Sequence, residues 1–208
     1  MRYRVPALPP SSWHTTDIEV EKSHFITWVC HASDISAFTA MLNAAKTAHP
    51  NASHHCTAYI AGPPGEQNLI GFSDDGEPGG TAGRPMYQVL QGSQLGHIGC
   101  VVIRYFGGTK LGTGGLARAY AQAVSHALET LATQEVIERD TYTLRLSFAS
   151  EAIARAWCEE HTIPIEQADY DGDGVRLTIG WPRDCPLDLS LLENRVKNAI
   201  EVLTAPKT

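Results

Sequence analysis

The stretch Arg104–Tyr120, RYFGGTKLGTGGLARAY, combines glycine with positive charge in a way that suits anion binding. Five glycines fall within nine residues: Gly107, Gly108, Gly112, Gly114 and Gly115. The same stretch carries the cations Arg104, Lys110 and Arg118 and no acid. Glycines let backbone N–H groups approach a ligand closely, and the N-terminus of a following helix adds positive charge. This basic loop is therefore predicted to bind an anion or RNA.

A second glycine-rich loop, FSDDGEPGGTAG, carries the opposite charge. Its polar residues are Ser73, Asp74, Asp75 and Glu77. Carboxylates this close together repel one another unless cations or hydrogen-bond donors face them. Two interpretations remain open. In one, Lys110 and Arg104 face Asp75 and Glu77 in an internal ion-pair network. In the other, the three cations converge with the acidic loop at a cleft where part of each charged set stays free for a ligand.

Two nucleotide-binding signatures are incomplete here. GTGGLA (Gly112–Ala117) fits the pattern G-x-G-x-x-A, but the preceding apolar run ends at Phe106, whereas that motif belongs on the turn that joins strand and helix directly. The phosphate-loop pattern fails because Lys110 precedes Gly112 instead of following it. We expect no nucleotide cofactor.

The acidic run YDGDG is predicted to be a hairpin turn. Asp169, Asp171, Asp173 and Gly174 match the first half of a calcium loop, but Gly180 occupies the position where such a loop needs glutamate. The flanking segments also have the pattern of strands, and a calcium loop of this kind lies between helices.

The sequence supplies only part of the ligand set that a zinc site needs. His54 and Cys56 alternate onto one strand face, and Asp75 is a further candidate that would have to arrive through space. Zinc normally takes four protein ligands, or three and a water. We therefore expect no bound metal, with His54 and Cys56 as buried neighbours on the strand.

Composition excludes several classes of protein. The chain has 208 residues, 43% hydrophobic and 19% charged, which is ordinary for a globular protein. No apolar run reaches the roughly 20 residues of a membrane helix, and the proline-containing N-terminus, predicted to be an irregular arm, lacks a signal-peptide core. The five cysteines are scattered without a CxxC pair, which indicates reduced thiols and a cytoplasmic protein. The net charge of −7 favours a local basic patch over a generally basic nucleic-acid binder.

The periodicity predicts a mixed α/β (α+β) fold. The segment DIEVEKSHFITWVCHA indicates one long strand or two short ones, and a helix capped by Ser33 or Asp34 follows. HIGCVVIRYF is the clearest buried strand, and after the basic loop a helix is predicted from about Gly114 to Thr133, with Thr113 as its cap.

Two domains are predicted, residues 1–138 and residues 139–208. After Asp140 the pattern indicates the order β-α-β-β-α-β, which is typical of a ferredoxin-like domain. Its last helix is expected over Leu187–Lys197 and its last strand over Ala199–Leu203.

The two loops, together with KSHFI (Lys22–Ile26) and ASHHCTAY (Ala52–Tyr59), resemble the signature of the IMPACT family in its bacterial two-domain form. The resemblance implies an N-terminal fold shared with a small-subunit ribosomal protein and with domain IV of elongation factor G, and a C-terminal module like another from that factor. Eukaryotic relatives restrain a starvation-responsive kinase by competing for its activating partner on ribosomes.

The leading functional hypothesis is a non-catalytic, translation-associated protein that binds RNA, a ribosome or a ribosome-associated protein through Arg104, Lys110 and Arg118. The alternative is an enzyme acting on a phosphate-bearing small molecule or nucleotide. Asp75 or Glu77 would then be the base, and Lys110 would stabilise the anion. The sequence contains no G-x-S-x-G nucleophile pattern.

Overall fold

A computed structural model describes residues 2–197 and 200–204, and these form a mixed α/β fold. The chain divides into two compact units. The larger unit is Tyr3–Val136, and the smaller unit is Ile137–Thr208 with Met1–Arg2. Among the described residues, no helix combines the length and apolar character needed to cross a membrane.

The first part of the chain contains the elements β1 (Arg2–Pro6), β2 (His14–Val20), β3 (Ser23–His31), α1 (Ile35–Ala48), β4 (His54–Ile60), β5 (Ile70–Ser73), α2 (Gly83–Gly92), β6 (Ile98–Tyr105), α3 (Gly112–Thr130) and β7 (Thr133–Ile137). The remainder contains β8 (Arg139–Leu146), α4 (Phe148–Glu160), β9 (Ile165–Tyr170), β10 (Val175–Pro182), α5 (Ser190–Val196) and β11 (Glu201–Thr204).

A five-stranded sheet of order β2-β3-β6-β4-β5 organises the larger unit. Its pairs are antiparallel, and β6 lies at its centre. Helix α1 packs with one apolar cluster, which includes Met41 and Ile103, whereas α2 and α3 contribute to another that includes Leu90 and Val102. Because Val102 and Ile103 alternate across the strand, helices cover both faces of the sheet. This explains why β6 is buried from Ile98 to Arg104 and shows no polar alternation.

Helix α1 begins where the sequence predicts. The side chain of Asp34 accepts a hydrogen bond from the N–H of Ala37, so Asp34 is the N-cap. Of the two interpretations of the first extended segment, the structure shows two strands rather than one. Glu21 and Lys22 both have positive φ and form a tight turn that joins β2 to β3.

The predicted irregular N-terminal arm and the two predicted ends of the helix after the basic loop are wrong. The N-terminal arm includes a regular strand, β1, which pairs with β7. Helix α3 begins at Gly112 rather than Gly114, and no side chain caps it, so Thr113 is inside the helix instead of before it. The helix ends at Thr130, and Thr133, its predicted end, belongs to β7. Because glycine has low helix propensity, the sequence predicts a later start than the structure shows.

The smaller unit contains a four-stranded antiparallel sheet of order β11-β8-β10-β9. Helices α4 and α5 contribute Trp157 and Leu192 to its apolar core. The last helix starts at Ser190, three residues later than predicted, and the last strand is observed over Glu201–Thr204. The predicted start of that strand, Ala199, lies outside the described residues.

The acidic run in the smaller unit is a hairpin turn, as predicted. The Asp171 carboxylate accepts hydrogen bonds from the N–H groups of Asp173 and Gly174 and from the guanidinium of Arg176. These donors hold the pKa of Asp171 at about 2. The carboxylate that would have to bind calcium therefore has local partners. Asp169 lies on β9, beside the turn.

Candidate functional site

A buried ion pair joins the acidic loop to the central strand. Arg104 Nη1 donates to Glu77 Oε1 over 2.6 Å, and the two side chains are only 6% and 3% exposed. The Tyr120 hydroxyl, from helix α3, donates to the same carboxylate oxygen over 2.8 Å. The Arg104 guanidinium also lies 5.5 Å from the centroid of the Phe25 ring. Glu77 and Arg104 thus neutralise each other inside the larger unit.

Ser23 links this ion pair to the basic loop. Its hydroxyl oxygen accepts a hydrogen bond from Arg104 Nη2 over 3.4 Å and one from the N–H of Gly107 over 3.1 Å. Arg104 Nε is buried and has no hydrogen-bond partner among the described residues. The ion pair therefore helps to position the start of the basic loop.

Cys56 is a buried neutral thiol in this network. It lies 3.3 Å from the Tyr120 hydroxyl oxygen and 2.9 Å from the backbone oxygen of Asp74. Burial raises the pKa of Cys56 to about 12 and raises that of the Tyr120 hydroxyl as well. Since the thiolate is the form that attacks or binds metal, Cys56 is poorly suited to either role at neutral pH.

His54 lies at the accessible edge of the network, with its side chain 24% exposed. Its Nδ1 is 2.8 Å from the backbone oxygen of Asp75 and donates to it, and its Nε2 is 3.8 Å from Glu77 Oε2. The Asp75 carboxylate accepts the backbone N–H of His55 over 2.7 Å. His54 and Cys56 therefore both lie beside the acidic loop, and Asp75, the further candidate, contacts His54 through its backbone oxygen. Within the described part of the chain, no group of three or more potential ligands is arranged to hold a metal ion.

Asp74 occupies the N-terminus of helix α2. Its carboxylate accepts hydrogen bonds from the N–H groups of Gly80, Ala82 and Gly83 at 2.8–2.9 Å. Burial alone would raise the pKa of Asp74, but these three donors outweigh it and lower the pKa. Asp74 therefore acts as an internal anion that satisfies the start of α2. Ser73 closes the other side of the turn, where its hydroxyl accepts the N–H of Asp75.

The basic loop lies against the hairpin that joins β2 to β3. A Cβ atom at Gly107 would lie 1.9 Å from the backbone oxygen of Lys22, so only glycine allows this approach. Gly108 has φ of +87°, a conformation that favours glycine, and no other atom would contact a Cβ there. The loop therefore exposes bare backbone next to Lys22.

Lys110 and Arg118 do not join the acidic loop. Both are exposed, and neither makes a hydrogen bond or ion pair with any residue that the structure describes. Of the pairs in the first interpretation, that of Arg104 with Glu77 is observed, and Lys110 pairs with none of the described residues; the carboxylates of Asp74 and Asp75 accept backbone N–H groups. The ion-pair network and the free cations are thus separate features.

The position of Arg118 also differs from the expected one. With α3 starting at Gly112, Gly114 and Gly115 lie in its first turn and Arg118 in its second, beyond the range of the helix-terminus charge. Arg118 instead lines a shallow groove between α2 and α3, together with Gln88.

Sequence reasoning missed three contributors to this region: Ser23, Lys22 and the hydroxyl of Tyr120. Tyr120 falls within the predicted helix, but periodicity does not show where its hydroxyl points. Lys22 and Ser23 come close to the basic loop through β3–β6 pairing, which aligns His24 with Tyr105. The antiparallel order of these strands was the missing information.

Comparisons with known proteins agree on one family. The Impact N-terminal domain matches residues 21–128, which include both loops. An "IMPACT family member" of Haemophilus influenzae is 41% identical over 173 residues, covering 83% of this chain and 84% of that protein. The IMPACT family member YigZ of Escherichia coli K12 is 45% identical over 144 residues, 69% of each chain. A solved structure described as the crystal structure of a hypothetical protein is 36% identical to this chain and has a TM-score of 0.69. The match covers 100% of this chain and 98% of that protein.

Proposed function

This chain belongs to the IMPACT family, and from that premise we propose that it is a non-catalytic, translation-associated protein that binds RNA through its basic loop. The family is linked in general to translation regulation. The binding surface that we assign comprises Lys22, Lys110 and the loop backbone between Phe106 and Gly112. Arg118 extends it along helix α3.

One observation carries the proposal: two lysines without anionic partners flank exposed glycine backbone. Lys22 and Lys110 are both exposed and make no ion pair within the described residues, although the larger unit contains several acids. The backbone of Lys22 contacts Gly107, so the two lysines border one loop. Phosphate groups, which are fixed anions, would complete such a surface.

The start of α3 supports the same interpretation. Among the described residues, no side chain accepts a hydrogen bond from the first N–H groups of α3, whereas Asp74 accepts those of Ala82 and Gly83 at the start of α2. Asp74 already supplies the anion at α2, whereas the first N–H groups of α3 remain available to an external acceptor. Of these two helix starts, the one that follows Lys110 has no anionic side chain bound to its N–H groups in the part of the chain that the structure describes.

The arrangement of the smaller unit supports the finer architecture that the resemblance implies. Numbered within that unit, its strands have the order 4-1-3-2 with all neighbours antiparallel, which is the order of a ferredoxin-like domain. We infer a ferredoxin-like module here, and for the larger unit the fold shared with domain IV of elongation factor G. The resemblance implies a counterpart in elongation factor G for each unit, and this supports the proposed role in translation.

The catalytic alternative receives less support from the positions of its acids. A general base needs access to its substrate. Glu77 is buried, is paired with Arg104 and accepts the Tyr120 hydroxyl. Asp75 is exposed but holds the N–H of His55. Both carboxylates have structural tasks, which favours binding over catalysis.

Recovery of RNA from cell lysate tests the proposal. The full chain, carrying an affinity tag, is used to capture partners with and without ribonuclease, and the recovered RNA is quantified. We expect RNA to be recovered with the wild type and to fall several-fold with Lys110→Ala. Lys46→Ala is the matched control, because it removes an exposed lysine from α1, on the other face of the sheet.

Three results of this experiment would contradict RNA binding through the basic loop. If the wild type recovers no RNA above an untagged control, the proposal is wrong. Capture of ribosomal proteins that persists after ribonuclease would replace RNA with a protein partner. Equal losses with Lys46→Ala and Lys110→Ala would mean that general charge, rather than the basic loop, controls recovery.

A further inference from the structure

Phe106, at the end of the central strand, is a large aromatic residue that the fold holds in an exposed position. It is 51% exposed. Its backbone N–H donates to Ser53 Oγ over 3.2 Å, and the next N–H, that of Gly107, donates to Ser23 Oγ over 3.1 Å. Two serines from two neighbouring segments therefore fix the backbone on which the ring is mounted.

The ring itself is supported from one side. The Arg104 guanidinium carbon lies 5.6 Å from the centroid of the Phe106 ring, and 5.5 Å from that of Phe25. Arg104 is held in turn by Glu77. Because the guanidinium lies on one face of the half-exposed ring, a ligand would approach the opposite face. A cation under an aromatic ring adds a stabilising contact that fixes its orientation.

Single exposed aromatics are common on protein surfaces and need no explanation. Phe106 differs from Phe72, which is equally exposed at 50% but stacks on Tyr87 with centroids 5.6 Å apart. Phe106 directly precedes Gly107, whose backbone lies against that of Lys22, and it lies four residues before Lys110; neither lysine makes an ion pair with a residue that the structure describes. The ring is therefore the apolar element of an otherwise cationic surface.

An aromatic face among cations is the combination that binds unpaired nucleotides. Bases stack on the ring while lysines contact the neighbouring phosphates. A base inside a duplex is already stacked on both sides, so its face is not available to the protein. The combination therefore discriminates between single-stranded and double-stranded RNA.

We propose that Phe106 stacks an unpaired base of the RNA whose phosphates contact Lys22 and Lys110. This inference rests on the proposed function and specifies it further: the ligand is an RNA loop, bulge or single strand. Arg104 contacts the buried side of the Phe106 ring, and Glu77 holds Arg104. These two residues position the ring and do not contact the RNA.

Fluorescence anisotropy tests this with a labelled 12-nucleotide uridine RNA and a 12-base-pair RNA duplex, titrated with the full chain. We expect tighter binding of the single strand. Phe106→Leu keeps apolar bulk and loses the aromatic face, so it should weaken single-strand binding by roughly 5- to 150-fold, the range expected for one stacked base. Phe106→Trp should keep or improve affinity, and Phe72→Leu is the control that should leave it unchanged.

The possible results distinguish a failure of the stacking role from a failure of RNA binding itself. If the wild type binds neither RNA, both are overturned. If it binds RNA but prefers the duplex, or if Phe106→Leu binds the single strand as tightly as the wild type, only the stacking role is overturned. Thermal unfolding of each variant shows whether it is folded. If Phe106→Leu is unfolded, Phe106→Trp decides between the outcomes. A folded Phe106→Trp variant that binds the single strand roughly 5- to 150-fold more weakly than the wild type would contradict stacking.

Discussion

Arg104 and Lys110 are six residues apart and carry the same charge, yet their surroundings give them different roles. Arg104 is buried with Glu77, and breaking such a pair leaves an uncompensated charge in the interior. Lys110 is exposed and makes no ion pair in the described chain, so its removal disturbs no internal contact. The distinction between a structural cation and a free one is therefore measurable.

We expect Glu77→Ala to lower the free energy of unfolding by about 3–5 kcal/mol, because it strands the buried guanidinium. Lys110→Ala should change it by no more than about 0.5 kcal/mol, as surface substitutions usually do. Urea denaturation followed by circular dichroism measures both. Similar destabilisation by the two variants would show that Lys110 has a structural partner after all.

The Asp74 carboxylate makes an acid-dependent contribution to stability. Its folded pKa is lowered, so this contribution is present above the unfolded pKa of about 4 and is lost as pH falls through the folded pKa. Asp74→Ala should cost about 0.5–2 kcal/mol at pH 7, as the loss of a helix cap does. The difference from wild type should shrink below about pH 4. Denaturation midpoints at pH 7 and pH 3 measure it, and a pH-independent difference would contradict this role.

At the scale of elements, the basic loop depends on the close approach of Gly107 to the β2–β3 hairpin. Gly107→Ala would place a Cβ atom 1.9 Å from the backbone oxygen of Lys22, so the loop or the hairpin must move. We expect a loss of about 1–3 kcal/mol, as in other overpacked sites, together with weaker RNA binding.

Gly79→Ala is the matched control for this substitution, since Gly79 lies in the other glycine-rich loop and a Cβ there would meet no atom within 4 Å. It should leave stability and binding almost unchanged. If thermal unfolding shows the two alanine variants to be equivalent, the hairpin contact does not position the loop.

Local signals predicted elements better than they predicted partners. The apolar run of β6 and the Asp34 cap of α1 depend on neighbouring residues, and both predictions are confirmed. The bond from Asp74 to the start of α2 spans six to nine residues and follows no capping pattern. The pairing of Glu77 with Arg104 depends on how a loop folds over a sheet. Sequence alone could show that the two loops carry complementary charge, but not which charges would remain free.

At the scale of the whole molecule, the two units have separate apolar cores. Leu90 belongs to the core of the larger unit and Leu177 to that of the smaller, and both are fully buried. Five- and four-stranded sheets are each completed within one unit. This is consistent with the predicted division into residues 1–138 and residues 139–208, which remains a prediction about independent folding.

Scanning calorimetry should therefore show two unfolding transitions. Leu90→Ala and Leu177→Ala should each destabilise by about 2–5 kcal/mol, and each should shift only the transition of its own unit. A single transition that both variants lower equally would mean that the chain unfolds as one cooperative body.

The salt dependence of RNA binding tests the central claim most directly, because a net charge of −7 leaves only a small local patch to contact phosphates. With a single-stranded RNA, we expect the logarithm of the binding constant to fall against the logarithm of salt concentration with a slope of about −1.5 to −2, which corresponds to two or three phosphate contacts. Lys110→Ala should make the slope shallower by about 0.7, whereas Lys46→Ala should leave it unchanged. A slope that Lys110→Ala does not alter, or wild-type affinity that is independent of salt, would contradict the account.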